Sequence, residues 1–206
     1  VARYYRAIIF DLGNVVINFS FDNIFNHWAD VTGVSAYELK RRFVYDEMFC
    51  RFERGEIDSS CFRKYVLKKL GIEMSDAEFD EGWNAIYLDI VPGIEYILRD
   101  LRRHFRLIAL TNTNELHAQR WKMMYASVLR HFEKVFCSHE MKVRKPEQRA
   151  FEIVLSYLEL NPHEVLFLDD NPEFVRAASG MHITGILVTS LEQMICELNK
   201  CGVYSP

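Results

Sequence analysis

The stretch AIIFDLGNVV, residues 7–16, decides the fold. Four apolar residues run into Asp11, a glycine stands two positions further on, and apolar residues resume. A short unbroken apolar run is how a strand buried on both faces reads, and an acid at its carboxyl end lies where open parallel sheets bind their ligands. Similar runs recur: LIAL before Thr111, VF at 135–136, VLFL before Asp169 and GILV before Thr189. Amphipathic stretches with helix punctuation separate them. Pro92 opens PGIEYILRDLRR, with Ile94, Ile97, Leu98 and Leu101 on one face, and Pro146 opens a helix with Phe151, Val154, Leu155 and Leu158 on its apolar side. Asn161-Pro162-x-Glu164 and Thr189-x-x-Glu192 have the spacing of reciprocal N-terminal caps. The pattern predicts an α/β protein with a Rossmann-like parallel sheet.

One segment breaks the alternation. From residue 19 to 90 no strand-like run occurs, while helix starts do. Phe21, Ile24, Phe25 and Trp28 have helical spacing, Ser35-x-x-Glu38 and Ser75-x-x-Glu78 read as capping boxes, and Asp58 precedes SSCFRKYVLKKLG. The expected organisation is a core from 1–18 and 91–206, with an all-helical cap at 19–90 inserted after the first strand. A chain of 206 residues is long enough for one such core and one such module.

Composition narrows the partners. A net charge of -4 gives no footprint for nucleic acid, and the basic run KRR at 40–42 reads as a solvated helix face. Cys50, Cys61, Cys137, Cys196 and Cys201 are odd in number and lack the close pairing of a zinc site, so reduced thiols are expected. No apolar run reaches the roughly eighteen residues of a membrane span, and VARYYRA at the start has no signal-peptide core. A cytoplasmic protein acting on a small molecule is expected. The start at Val1 leaves open whether a leader precedes it, and composition does not choose between monomer and homodimer.

The residues just after the apolar runs carry the chemistry: Asp11, Thr111 and Asn112, Lys145 of RKPE, and the pair Asp169-Asp170. Carboxylates gathered at one sheet end repel one another unless a cation neutralises them, and all-oxygen ligands suit Mg²⁺. A phosphoryl group bound there would be stabilised by the metal and Lys145, with the Thr111 hydroxyl and nearby backbone N–H groups on its remaining oxygens. An ionised aspartate is then a competent nucleophile, and the set points to phosphoryl transfer through an aspartyl-phosphate. A dinucleotide fold would need more glycines than DLGNVV supplies. A response-regulator receiver would place its acidic pair after the first strand and its lysine last, the reverse of the order here.

With these residues the chain resembles the haloacid dehalogenase-like (HAD) hydrolase superfamily over nearly its whole length. IIFDLGNVV, LIALTNTN, RKPE and VLFLDDNPEFV look like its four motifs in order. FDLGNV, TNTNELH and FLDDN are most similar to the bacterial branch that includes α-D-glucose-1-phosphate phosphatase. The resemblance implies Asp11 as nucleophile and Mg²⁺ ligand, Thr111 and the Asn112 backbone on the phosphoryl group, Lys145 as its counter-charge, Asp170 as the direct metal ligand and Asp169 behind it. It also implies a cap that closes over the site and selects the substrate.

The departure is Gly13, where most phosphatases of the superfamily carry a second aspartate as acid and base. Glycine offers the metal only its backbone carbonyl, and Asn14 does not titrate. Three functions follow: a phosphatase for esters that leave easily, such as glucose 1-phosphate; a metal-free 2-haloacid dehalogenase, disfavoured by Asp169-Asp170; or a non-catalytic phosphate-binding protein. In the cap, Glu53 or Arg54 of FERGEID could reach a sugar hydroxyl, although a solvated turn is the simpler expectation for residues 52–58. His117 and Trp121 lie a helical turn apart, His117 more simply as a packed histidine than a ligand.

Overall fold

The computed structural model describes residues 4–204, so the first three and last two residues of the expected core segments lie outside the described residues. The chain runs β1 (Ala7–Phe10), β2 (Ile17–Phe19), α1 (Phe21–Thr32), α2 (Ala36–Arg42), α3 (Glu47–Glu53), α4 (Ser59–Leu70), α5 (Asp76–Asn84) and β3 (Tyr87–Ile90). It continues through α6 (Ile94–Leu101), β4 (Arg106–Thr111), α7 (Glu115–Met124), α8 (Ala126–Leu129), β5 (Lys134–Cys137), α9 (Ser138–Met141) and α10 (Gln148–Leu158). A 3-10 turn (Pro162–Glu164), β6 (Val165–Asp169), α11 (Pro172–Gly180), β7 (Thr184–Leu187) and α12 (Leu191–Lys200) complete it.

β1 lies at the centre of a five-stranded parallel sheet of order β5-β4-β1-β6-β7. Its four residues are fully buried because both faces are covered, which is why the run is uninterrupted. Ile8 and Phe10 join a core with α6 residues Ile97 and Leu98, and Ala7 and Ile9 join the opposite one with Phe151 and Val154 of α10. Phe10 is level with Ala109 of β4 and Leu168 of β6, so Asp11 emerges between these two strands. Its N–H donates to the Leu168 carbonyl at 2.8 Å, extending the ladder one residue past β1.

Between β2 and β3 the chain is helical and builds its own aromatic core, in which Trp28, Phe62, Phe79 and Trp83 are buried. The Ser75 cap is reciprocal: Ser75 N–H donates to Glu78 at 2.7 Å while Glu78 N–H donates to Ser75 Oγ at 3.3 Å. The sequence pattern departs from the structure in several places. Ser35 accepts from Glu38 N–H, but the Glu38 carboxylate turns to Arg42, so that box is half formed. The last helix is capped by Ser190 with Gln193 instead of Thr189 with Glu192. Pro92 and Pro146 each stand two residues ahead of the helices they announce. A two-stranded antiparallel ribbon, β2 against β3, joins the helical segment to the sheet, although no strand is expected in 19–90. These strands are short and half exposed, so neither shows a buried run.

No described helix is long and apolar enough to cross a membrane. No disulfide joins any of the five cysteines, and Lys40 and Arg41 of KRR are exposed.

Candidate active site

The carboxyl ends of β1, β4 and β6 bring together side chains far apart in sequence. Lys145 is the hub. Its ammonium is buried at 1% exposure and donates to Asp11 Oδ1 at 2.8 Å and to Asp169 Oδ2 at 2.6 Å. The other Asp169 oxygen accepts the Asn171 N–H at 2.8 Å, so this fully buried carboxylate is consumed within the protein. Oxygens of Asp11, Asp169 and Asp170 lie within 4.8 Å of one another. Asp170 lines the cavity, and Asn14 Nδ2 donates to its Oδ2 at 3.2 Å.

Three carboxylates against one ammonium leave an excess of negative charge, and Asp11 and Asp169 are buried. Burial lifts Asp11 to about 7 against the pull of Lys145, with Asp169 and Asp170 adding to the rise. Burial also raises Asp170. Burial alone would lower Lys145, but Asp11 and Asp169 outweigh it and hold the ammonium charged. The donor set is all oxygen and short of positive charge, which fits a hard divalent cation.

The loops explain the placement. Asn112 clasps the Lys145 backbone from both sides: its Nδ2 donates to the Lys145 carbonyl and its Oδ1 accepts the Lys145 N–H, each at 2.8 Å. The Asn112 side chain thereby positions Lys145, a role the sequence reading did not assign. Thr111, at the end of β4, lines the same cavity as Asp11, Gly13 and Lys145. Asn14 adopts φ +52°, a left-handed conformation that asparagine tolerates, and its Oδ1 accepts the Phe19 N–H at 3.3 Å. Gly13 is glycine for a visible reason. A Cβ there would stand 2.3 Å from Cε1 of Phe19, whose ring fills the space a residue-13 side chain needs.

The cavity above these residues measures about 490 Å³, and Phe19, Phe21, Phe49, Ile86 and Tyr87 supply apolar wall. His117 also lines it, but its ring is stacked on Trp83 and both nitrogens are engaged, Nε2 with the Trp83 carbonyl at 3.0 Å and Nδ1 with Asn114 at 3.1 Å. Burial lowers its pKa to about 4, so it is a neutral packing residue.

The segment 52–58 departs from the solvated turn expected of it. Glu53 closes α3, is 6% exposed and lines the cavity. Arg54 is not among the residues lining the cavity and pairs with Glu147 at 2.7 Å and Glu47 at 3.0 Å. Lys142 donates to the Gly55 carbonyl at 2.8 Å, and Ser59 N–H donates to Glu115 at 2.9 Å. The contacts to Glu147, Lys142 and Glu115 tie residues 54–59 to elements that follow β4 in the chain. Asp46, which accepts the N–H groups of Met48 and Phe49, was the legible start of α3.

The model of the haloacid dehalogenase-like hydrolases matches residues 5–182. The chain belongs to this family. As an HAD-like hydrolase it is 28% identical over 198 residues to a sesquiterpene phosphatase of Aspergillus oryzae, covering 91% of this chain and 94% of that protein. It is 29% identical over 97 residues to a phosphoserine phosphatase of Thermus thermophilus, a match spanning 47% of this chain and 38% of that enzyme. Among solved structures it is similar, at a TM-score of 0.78 and 26% identity, to an HAD family enzyme of Bacteroides thetaiotaomicron in complex with magnesium and inorganic phosphate. That match covers 91% of this chain and 96% of the other.

Proposed function

We propose that this HAD-like hydrolase is a magnesium-dependent phosphatase that hydrolyses a small phosphorylated metabolite through an aspartyl-phosphate on Asp11. The observation that carries the reading is the Lys145 ammonium fixed between Asp11 and Asp169 beside the cavity-lining Asp170. Lys145 occupies Oδ1 of Asp11, which leaves Oδ2 to attack phosphorus. The ester P–O bond breaks, and the alcohol departs as an alkoxide that takes its proton from water, because Gly13 has none to give. Water then attacks the acyl phosphate, releasing inorganic phosphate and restoring Asp11. Lys145 balances the phosphoryl charge, and Thr111 with the Asn112 backbone binds its oxygens. Asp11, Asp170 and the Gly13 carbonyl, with Asp169 behind them, would hold magnesium, which would supply further neutralisation of those oxygens. The magnesium and phosphate bound by the Bacteroides enzyme support this assignment.

The missing acid selects the ester. A positioned acid–base group contributes about 10²–10⁴-fold, and a leaving group that is itself acidic needs it least. The anomeric hydroxyl of a sugar 1-phosphate is such a group, so glucose 1-phosphate is the representative substrate. A metal-free dehalogenase reading is weakened by Asp169 and Asp170, which would repel an anionic haloacid.

Phosphate release from a panel of esters with Mg²⁺, for wild type and Asp11→Asn, tests the proposal. Turnover that needs both the metal and Asp11, with glucose 1-phosphate faster than glucose 6-phosphate, is the expected result. Faster hydrolysis of the 6-phosphate contradicts the leaving-group reading. Phosphate binding with no turnover of any ester, or chloride release from 2-chloropropionate without metal, contradicts the phosphatase itself.

A further inference from the structure

A second buried carboxylate faces the cavity from the opposite side. Glu53 Oε2 accepts from Arg144 Nε at 2.7 Å and from the Tyr45 hydroxyl at 2.8 Å, and Arg144 closes the ring by donating to that hydroxyl at 2.8 Å. The other oxygen, Oε1, accepts no hydrogen bond among the described residues, and it is not one of the sealed, unpartnered atoms of the interior. Glu53 is among the residues that line the cavity, so this is the acceptor it has left to offer there. Burying a carboxylate costs several kcal/mol unless it is paired and its remaining acceptors are used. Here the pairing is built and one acceptor is left over.

We propose that Glu53 is a substrate-recognition residue whose Oε1 accepts a hydrogen bond from a hydroxyl of the alcohol half of the phosphate ester. The substrate class is then a polyhydroxylated ester, a sugar phosphate, instead of an ester of a plain alkyl or aryl alcohol. The inference rests on the phosphatase reading above. Arg144 neutralises Glu53, so the pair offers little net charge to attract a cation and suits a neutral donor. The other polar groups on that side are already engaged: His117 with Trp83 and Asn114, and Tyr45 with Glu53 and Arg144. Phe21, Phe49 and Ile86 supply apolar wall for the C–H faces of a ring. Arg144 precedes Lys145, so one short segment anchors both the phosphoryl end of the site and the recognition end.

A cycle between protein and substrate isolates the contact. Wild type and Glu53→Gln are assayed with Mg²⁺ on glucose 1-phosphate, its single-deoxy analogues and phenyl phosphate. The glutamine keeps the shape and an oxygen for Arg144 and Tyr45 while turning an N–H₂ donor toward the cavity. One deoxy position is expected to lose about 10- to 100-fold in kcat/KM with wild type. That penalty is expected to vanish in Glu53→Gln, and the preference for glucose 1-phosphate over phenyl phosphate to fall by a similar factor. A merely structural Glu53 would lower every ester alike and leave the deoxy penalty in place, which overturns the proposal. If Glu53→Gln does not fold, the wild-type series still decides against it when every deoxy analogue stays within about threefold of the parent. Failure to turn over any ester in an Asp11-dependent way overturns the phosphatase reading and this inference together.

Discussion

Arg144 and Lys145 are neighbours, and each is paired with a buried acid, yet the two pairs are held by different means. Lys145 reaches Asp11 and Asp169 at the ends of two adjacent strands, with the Asn112 clasp fixing its backbone. Arg144 reaches Glu53 at the end of a seven-residue helix in another part of the chain. Strand register places the first pair; the docking of helices places the second. On the proposed reading, reaction chemistry sits on strand ends and substrate choice on the end of a short helix, which could be rebuilt without moving those strand ends.

Substituting each partner in turn breaks the comparison most strongly. Lys145→Met is expected to cost about 10²–10³-fold in kcat on every ester. It should also lower stability by about 3–5 kcal/mol, because Asp11 and Asp169 are left buried without their counter-charge. Arg144→Met is expected to change the ranking of esters more than the rate on the poorest of them. Steady-state kinetics and denaturant melts read both, and equal losses on all esters from the two variants would erase the distinction.

The next test restores the missing acid. Gly13→Asp alone is expected to lose stability and gain no activity, because its Cβ meets the Phe19 ring. Combined with Phe19→Ala, it is expected to raise glucose 6-phosphate hydrolysis about tenfold or more over Phe19→Ala alone, and glucose 1-phosphate hydrolysis less. Equal gains on both esters would show that leaving-group acidity does not set the preference.

How much was legible in the sequence follows the same division. Asp11, Thr111, Lys145, Asp169 and Asp170 stand directly after apolar runs or in a short loop, and a parallel sheet brings such positions to one edge whatever the loop lengths between them. The sheet and the gathering of these residues could be read. The Glu53–Arg144–Tyr45 ring could not, because its members are 91 and 8 residues apart and meet only through the packing of α3. Phe19 was hidden in the same way: the ring that fills the side-chain space of Gly13 comes from a ribbon strand too short to show a pattern. The Asn112 clasp was missed for another reason, since a motif residue read for its backbone can use its side chain elsewhere.

The smallest expected effect concerns His117, which lines the cavity with its ring stacked on Trp83. Its folded-state pKa is depressed from 6.5 to about 4 by burial. Between those values the unfolded chain binds a proton that the folded chain does not, so stability rises with pH across this window and is level above it. His117→Gln is expected to flatten that rise by at most about 1.4 kcal/mol per pH unit, seen in denaturant melts from pH 4 to 7. An unchanged slope would mean that His117 is accessible to protons in the folded state.

The central claim is that Asp11 takes the phosphoryl group. Rapid acid quench during turnover of a phosphoryl-labelled ester with Mg²⁺, followed by peptide mapping, tests it directly. An acid-stable, hydroxylamine-labile label on the peptide containing Asp11, absent from Asp11→Asn, is the expected result. Asp11-independent turnover, or a label on any other residue, would contradict it.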